Sequence, residues 1–152
     1  MSVAFRRESD EEHLEPKFEL PIPPGPNLVT ARGLAMIEER VAELDSRLAT
    51  PLPEEERKAV LRAARYWRAR QDSAQLAPLP SGEKVAIGVR VTYRHDDRSR
   101  TIEIVGHDES DPATGRVGFT APLVRAMLGS EVGDEIDLPD GRTLAILAVA
   151  PA

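Results

Sequence analysis

The sequence predicts an α+β protein, an N-terminal antiparallel coiled-coil helical hairpin followed by a small antiparallel sheet domain with one helix. Three observations carry this. Leu34, Ile37, Val41, Leu44 and Leu48 recur at spacings of three and four, and Val60, Ala64, Trp67, Gln71 and Ala74 do the same beyond Pro51-Leu52-Pro53. The run Ala77-Pro78-Leu79-Pro80-Ser81-Gly82 then breaks the helical pattern. After it the apolar period changes to two, with Val89, Val91 and Tyr93 alternating with Arg90, Thr92 and Arg94.

Residues 1–27 hold Pro16, Pro21, Pro23, Pro24 and Pro26 and an acidic run at Glu8-Ser9-Asp10-Glu11-Glu12. Such a stretch buries too little apolar surface to offset its ordering entropy, so it is expected to be a flexible acidic, proline-rich leader. Phe18, Leu20 and Ile22 alternate within it and fit a short extended arm. Residues 28–77 form the hairpin. Thr30 is placed to cap the first helix, and Pro53 to open the second, because its missing N–H falls among the unpaired first-turn donors. Glu54, Glu55 and Glu56 suit the positive end of that helix dipole. Folding back at Leu52 brings Val60 near Leu44 and Trp67 near Ile37, in arms of about 20 residues or ~30 Å.

Residues 78–84 are a linker and residues 85–152 the sheet domain. A polar turn from His95 to Ser99 joins the first strand to a second holding Ile102 and Ile104, and Val117 and Phe119 suggest a third. A short helix over residues 121–128 is expected to be opened by Thr120 and Pro122 and stopped by Gly129. Residues 135–138 and 143–149 pair across the Asp140-Gly141 turn.

The chain has 152 residues, 41% hydrophobic and 30% charged, with no cysteine and a net charge of −6. Nothing in it requires an oxidising compartment, and no apolar run reaches the length of a membrane span, so the cytoplasm is expected and no membrane partner. The acidic balance argues against general DNA binding, whose affinity comes from accumulated Lys and Arg charge. His13, His95 and His107 are scattered, so no metal site or catalytic base assembles from them. Asp108, Glu109 and Asp111 read as a polar turn, or as a cation-binding loop.

The stretch Ile102-Glu103-Ile104-Val105-Gly106-His107-Asp108-Glu109-Ser110-Asp111-Pro112, with Gly118-Phe119-Thr120-Ala121-Pro122-Leu123-Val124-Arg125-Ala126-Met127-Leu128-Gly129 and Glu131-Val132-Gly133-Asp134-Glu135-Ile136-Asp137-Leu138-Pro139-Asp140-Gly141, resembles the C-terminal domain of the Gre factors, the GreA/GreB family of bacterial elongation factors. Thr30-Ala31-Arg32-Gly33-Leu34 is similar to that family's Thr-Pro-Glu-Gly helix start, and Ala4-Phe5-Arg6-Arg7-Glu8-Ser9-Asp10 to the N-terminus of the GreB branch. The resemblance implies a coiled-coil hairpin followed by an FKBP-like domain, and RNA polymerase, bound at its secondary channel, as partner. Contact with RNA or DNA would then come only through the polymerase complex, no cofactor is implied, and a monomer is favoured.

What the resemblance implies for single residues is specific. The family grips the channel rim through a loop and helix start reading Asp-Ser-Pro, where this chain has Thr120-Ala121-Pro122 followed by Leu123. These four are the candidate polymerase-binding residues, and capping alone would also explain Thr120 and Pro122. Cleavage activity in the family needs acidic residues at the tip, in a motif like Gly-Asp-Leu-Lys-Glu-Asn, that help hold a catalytic Mg²⁺. This tip reads Leu48-Ala49-Thr50-Pro51-Leu52-Pro53-Glu54-Glu55-Glu56. Each arm is about ten residues shorter than in the family, which withdraws the tip by ~15 Å. Glu54, Glu55 and Glu56 therefore read as helix-start residues.

Lys58, Arg62 and Arg65 share one face of the second helix, with Arg68 and Arg70 nearby. They form a candidate basic patch, or a solvated face pairing with Glu39, Glu43 and Asp45. The reading that follows is a noncatalytic polymerase-binding regulator, similar to the short-hairpin regulators of nucleoside diphosphate kinase. The alternatives are a true transcript-cleavage factor and an FKBP-like prolyl isomerase. The last needs an aromatic-lined pocket, and Tyr93 and Phe119 are the only aromatics of that domain.

Overall fold

The computed structural model describes residues 19–152. Residues 1–18, with His13, Phe18 and the GreB-like start, lie outside the described residues. The chain divides into two compact units, one of Ile37–Ser73 with the residues up to Gly25, the other of Pro26–Met36 with Ala74–Ala152.

Helix α1 spans Ala31–Leu48 and α2 spans Glu54–Ser73. Thr30 caps α1 as expected, its Oγ accepting the Gly33 N–H at 3.0 Å. In the hairpin unit Leu44, Val60 and Ala64 form a buried cluster flanked by Leu48, Leu52, Ala63 and Trp67. Trp67 is only partly buried, with Tyr66 edge-on at 5.1 Å and the Arg40 guanidinium 5.2 Å from its ring centroid. Arg70, expected in solvent, is 3% exposed. It stands three residues after Trp67, which at 3.6 residues per turn puts it on the flank of the seam. Leu20 and Ile22 remain 47% and 50% exposed, and Glu19 makes a two-pronged hydrogen bond to Arg65 at 2.7 Å.

The other unit holds two sheets. Strand β1 (Asn27–Val29) pairs in parallel with β2 (Ala74–Leu76). The sequence pattern does not announce this pair: residues 27–29 fall across the expected boundary between leader and hairpin, and residues 74–76 lie at the end of the expected hairpin. The main sheet contains β3 (Val89–His95), β4 (Arg98–Val105), β5 (Arg116–Gly118), β6 (Glu135–Asp137) and β7 (Thr143–Pro151), in the order β5-β4-β3-β7-β6. All pairings are antiparallel except β4 with β5. The exception makes the sheet mixed, where antiparallel pairing was expected throughout. Between β4 and β5 the chain passes through 3-10 turns at His107–Glu109 and Pro112–Thr114, so that β5 runs in the same direction as β4.

Helix α3 (Pro122–Met127) packs on the sheet through Val124 and Met127, both fully buried against Val89, Val91, Ile104 and Leu144. Its N-cap is Ala121, with no side-chain cap, so Thr120 does not have the capping role expected of it. Pro122 stands at the first helical position, where its missing N–H is one of the donors that have no partner within the helix. Gly129, at φ +86°, ends the helix in the left-handed conformation that an L side chain resists.

Candidate docking surface around helix α3

The surface beside α3 is built by the far end of the β3–β4 hairpin. Asp96 and Asp97 form its two-residue turn at φ 56° and 59°, the left-handed pair that matches strand twist. Tyr93 pairs with Arg100 and His95 with Arg98 across the ladder. Side chains alternate faces, so these four share the face that carries Val89, Val91, Ile102 and Ile104 into the core. The core face thus continues past α3 and turns from apolar to basic.

There it opens as a cleft of about 520 Å³ lined by Tyr93, His95, Asp96, Arg98, Arg100 and Leu123. A second depression, of about 660 Å³, shares His95 and Leu123 and adds Pro122, Arg125, Leu138, Pro139 and Asp140. Leu123 therefore stands as a ridge between two hollows. Asp96 is engaged by Arg142, which also approaches Asp140 at 3.7 Å. Arg98, Arg100 and Arg125 are exposed and make no ion pair among the described residues. The His95 Nε2 is buried without a hydrogen-bond partner there, and its Nδ1 lies 3.9 Å from Asp96. Burial pushes the Tyr93 hydroxyl pKa up, with nearby Arg100 opposing it.

Of the expected docking residues, Pro122 and Leu123 line this surface, Ala121 is partly buried and Thr120 is exposed. The sequence reading does not single out Arg98 and Arg100, because Arg98 falls in the stretch from His95 to Ser99 that reads as a turn and Arg100 just beyond it. A signal existed: they stand in phase with Ile102 and Ile104, at positions where alternation calls for apolar side chains. Phe119 lines a different groove, with Leu28, Pro78 and Ile87, so the two aromatics do not share a pocket.

At the hairpin tip Glu56 pairs with Arg47, and Lys58 approaches Glu54 at 3.4 Å and Glu55 at 3.7 Å. Among the other cations of α2, Arg65 holds Glu19 and Arg68 holds Asp45. The Arg65 hydrogen bond holds the Glu19 carboxyl below the usual range, and Arg62 adds a weaker attraction to Glu19. Among the described residues Glu39 and Glu43 do not pair with these cations; Glu43 lies 4.0 Å from Arg40.

Glu109, from the Asp108-Glu109-Asp111 cluster, is a structural anchor. Its side chain is 2% exposed and bonds the Thr30 hydroxyl at 2.5 Å and the Arg32 guanidinium at 2.8 Å. Among the described residues no group of three or more His, Cys, Asp or Glu is gathered to hold a metal ion, and no helix is long and apolar enough to cross a membrane.

A family model described as the C-terminal domain of the transcription elongation factors GreA/GreB matches residues 80–151. The transcription elongation factor GreA of Sinorhizobium medicae is 40% identical over 74 residues, covering 45% of this chain and 47% of that protein. The GreA of Hyphomonas neptunium is 33% identical over 106 residues, 68% of this chain and 54% of that protein. The chain spans about half the length of these curated relatives. Among solved structures, the GreA factor homolog Gfh1 of Thermus thermophilus aligns with 82% of this chain and 99% of its own at 19% identity and a TM-score of 0.38.

Proposed function

We propose that this chain, whose residues 80–151 match the C-terminal domain of the GreA/GreB family, is a member of that family that binds RNA polymerase at the secondary channel as a transcription regulator without transcript-cleavage activity. It would work in the cytoplasm, where the polymerase is. The docking surface is the ridge at Pro122 and Leu123 with its two flanking hollows.

The observation that carries the noncatalytic reading is the tip. The arms are 18 and 20 residues long, and the turn between them offers Pro51-Leu52-Pro53 in place of an acidic loop. Glu54, Glu55 and Glu56 sit in the first turn of α2 beside Lys58 and Arg47. Mg²⁺ keeps most of its waters and needs added carboxylates held at the reacting phosphate. Glutamates tied to cations of their own hairpin, on withdrawn arms, do not supply that. Misplacement by even an ångström already costs catalysis about a hundredfold.

Core RNA polymerase of the same organism tests this in two steps. The protein should be retained on immobilised polymerase, and backtracked complexes incubated with it should show no stimulated RNA cleavage. Failure of retention removes the docking claim, and robust cleavage removes the noncatalytic one.

A further inference from the structure

Two arginines at inward-facing strand positions, unpaired and beside an apolar ridge, need an explanation that the fold does not provide. Arg98 and Arg100 follow the phase of Ile102 and Ile104 but are exposed and make no ion pair among the described residues. In a protein of net charge −6 such a pair is a local reversal of sign. Next to it lie the partnerless His95 Nε2 and the Leu123 side chain. The surface thus offers two guanidinium groups and an apolar contact within one cleft.

We propose that this cleft selects an acidic protein segment of the polymerase, with two carboxylates facing Arg98 and Arg100 and an apolar side chain against Leu123. This rests on the docking reading above and adds the chemistry of the partner to it. The spacing supports a helical segment. Residues two apart on a strand stand roughly 6.6 Å apart. Carboxylates three or four apart on a helix are roughly 5–6 Å apart at Cβ and lie on one face. Guanidinium groups bind carboxylates in two-pronged fashion, so each match brings orientation as well as attraction.

A nucleic acid fits less well. Single strands are held by stacking on exposed aromatic rings, and Tyr93, the cleft's aromatic, is only 4% exposed. Phosphate-backbone binding draws on many cations, whereas the charge balance of this chain is acidic.

The test is binding to core polymerase at low and high salt. Arg98→Glu with Arg100→Glu should lower affinity at least tenfold at low salt and flatten the salt dependence. Arg98→Lys with Arg100→Lys should retain most of the salt dependence while losing part of the affinity. Thermal midpoints should match the wild type, since both side chains are exposed and unpaired. If the charge reversal unfolds the protein, Arg98→Gln with Arg100→Gln gives the same reading more gently, with a smaller loss expected. A folded charge-reversed variant that binds as the wild type does at both salts overturns the cleft proposal and leaves docking intact, provided Leu123→Glu still abolishes binding. A wild type that does not bind polymerase overturns both. Retention of the wild type on a single-stranded RNA oligonucleotide, lost in the charge reversal while polymerase binding persists, would reassign the cleft to nucleic acid.

Discussion

A Cβ placed on Gly33 would stand 2.8 Å from Oε1 of Glu109. That oxygen belongs to a carboxylate held by Thr30 and Arg32, so it cannot swing away without giving up its bonds. The glycine in the helix start that resembles the Gre pattern thus has a spatial reason, and no φ requirement is involved.

Gly33→Ala should consequently destabilise the protein by about 1–2 kcal/mol, although alanine is favoured over glycine inside a helix by about 1 kcal/mol. Glu109→Ala should cost about 1–3 kcal/mol by removing the anchor. The two effects should be strongly non-additive, because without Glu109 the added methyl has room. Denaturant melts of the two single variants and the double variant measure this coupling, and simple additivity would mean that the close approach is relieved elsewhere.

Gly106 makes a second close approach, this time to backbone. A Cβ there would lie 2.5 Å from the Leu28 carbonyl oxygen and 3.4 Å from the Val29 Cα, and a strand carbonyl cannot rotate out of the way. Gly106→Ala should cost on the order of 2–3 kcal/mol, as an overpacked site does. Gly129→Ala offers a contrast, with open space around it but a left-handed backbone, so its cost should arise from φ alone. Urea midpoints of both variants give the comparison, and a neutral Gly106→Ala would show that β1 shifts without penalty.

What the sequence made legible is what repeats. The helical seam is visible because Leu44, Val60 and Ala64 follow the spacing of an α-helix, β3 because it alternates over its seven residues, β4 through Ile102 and Ile104, and β7 through the Asp140-Gly141 turn before it. The pairing of β1 with β2 was hidden, since three residues carry no period and the partners lie far apart in sequence. The parallel placement of β5 was hidden as well, because a strand's pattern records its faces and not its direction. Of the candidate docking surface, Pro122 and Leu123 are reachable through resemblance, while Arg98 and Arg100 require the ladder register to be assigned to a face.

Tyr93 gives the protein an alkaline limit. Burial holds its proton more tightly when folded than when unfolded, with Arg100 acting in the opposite direction. The unfolded chain therefore loses that proton first, and stability falls as pH rises. The contribution should be complete below the ordinary tyrosine value of about 10 and be lost as pH climbs through the folded-state value above it. Tyr93→Phe should flatten the stability profile above about pH 10 relative to wild type. Midpoints of denaturation across that range check it, and identical slopes for both proteins would assign the alkaline loss to other groups.

Glu54→Ala with Glu55→Ala addresses the tip. Both glutamates lie in the first turn of α2 and reach Lys58. Their loss should cost a few tenths of a kcal/mol through the helix dipole and the side-chain pairs. Any effect of the protein on transcription should be unchanged. An effect that vanishes with this double change, in a protein whose thermal midpoint is kept, would make the glutamates functional and restore the cleavage reading.

Reach can be tested by giving the hairpin what it lacks. Three added turns, about eleven residues in each arm, keep the seam nearly in phase at 3.6 residues per turn and extend the tip by ~16 Å. With the family's Asp-Leu-Lys-Glu at the new tip, the same C-terminal domain should stimulate cleavage in backtracked complexes. The unextended protein should instead compete with a full-length Gre factor, its effect rising with its own concentration and reversed by an excess of the other. Circular dichroism should first register the added helix, so that a null result cannot be charged to misfolding. A chimera that gains this helix and binds polymerase tightly, yet neither cleaves nor competes, would mean that the hairpin points away from the channel. Docking through Pro122 and Leu123 would then have to occur in another orientation.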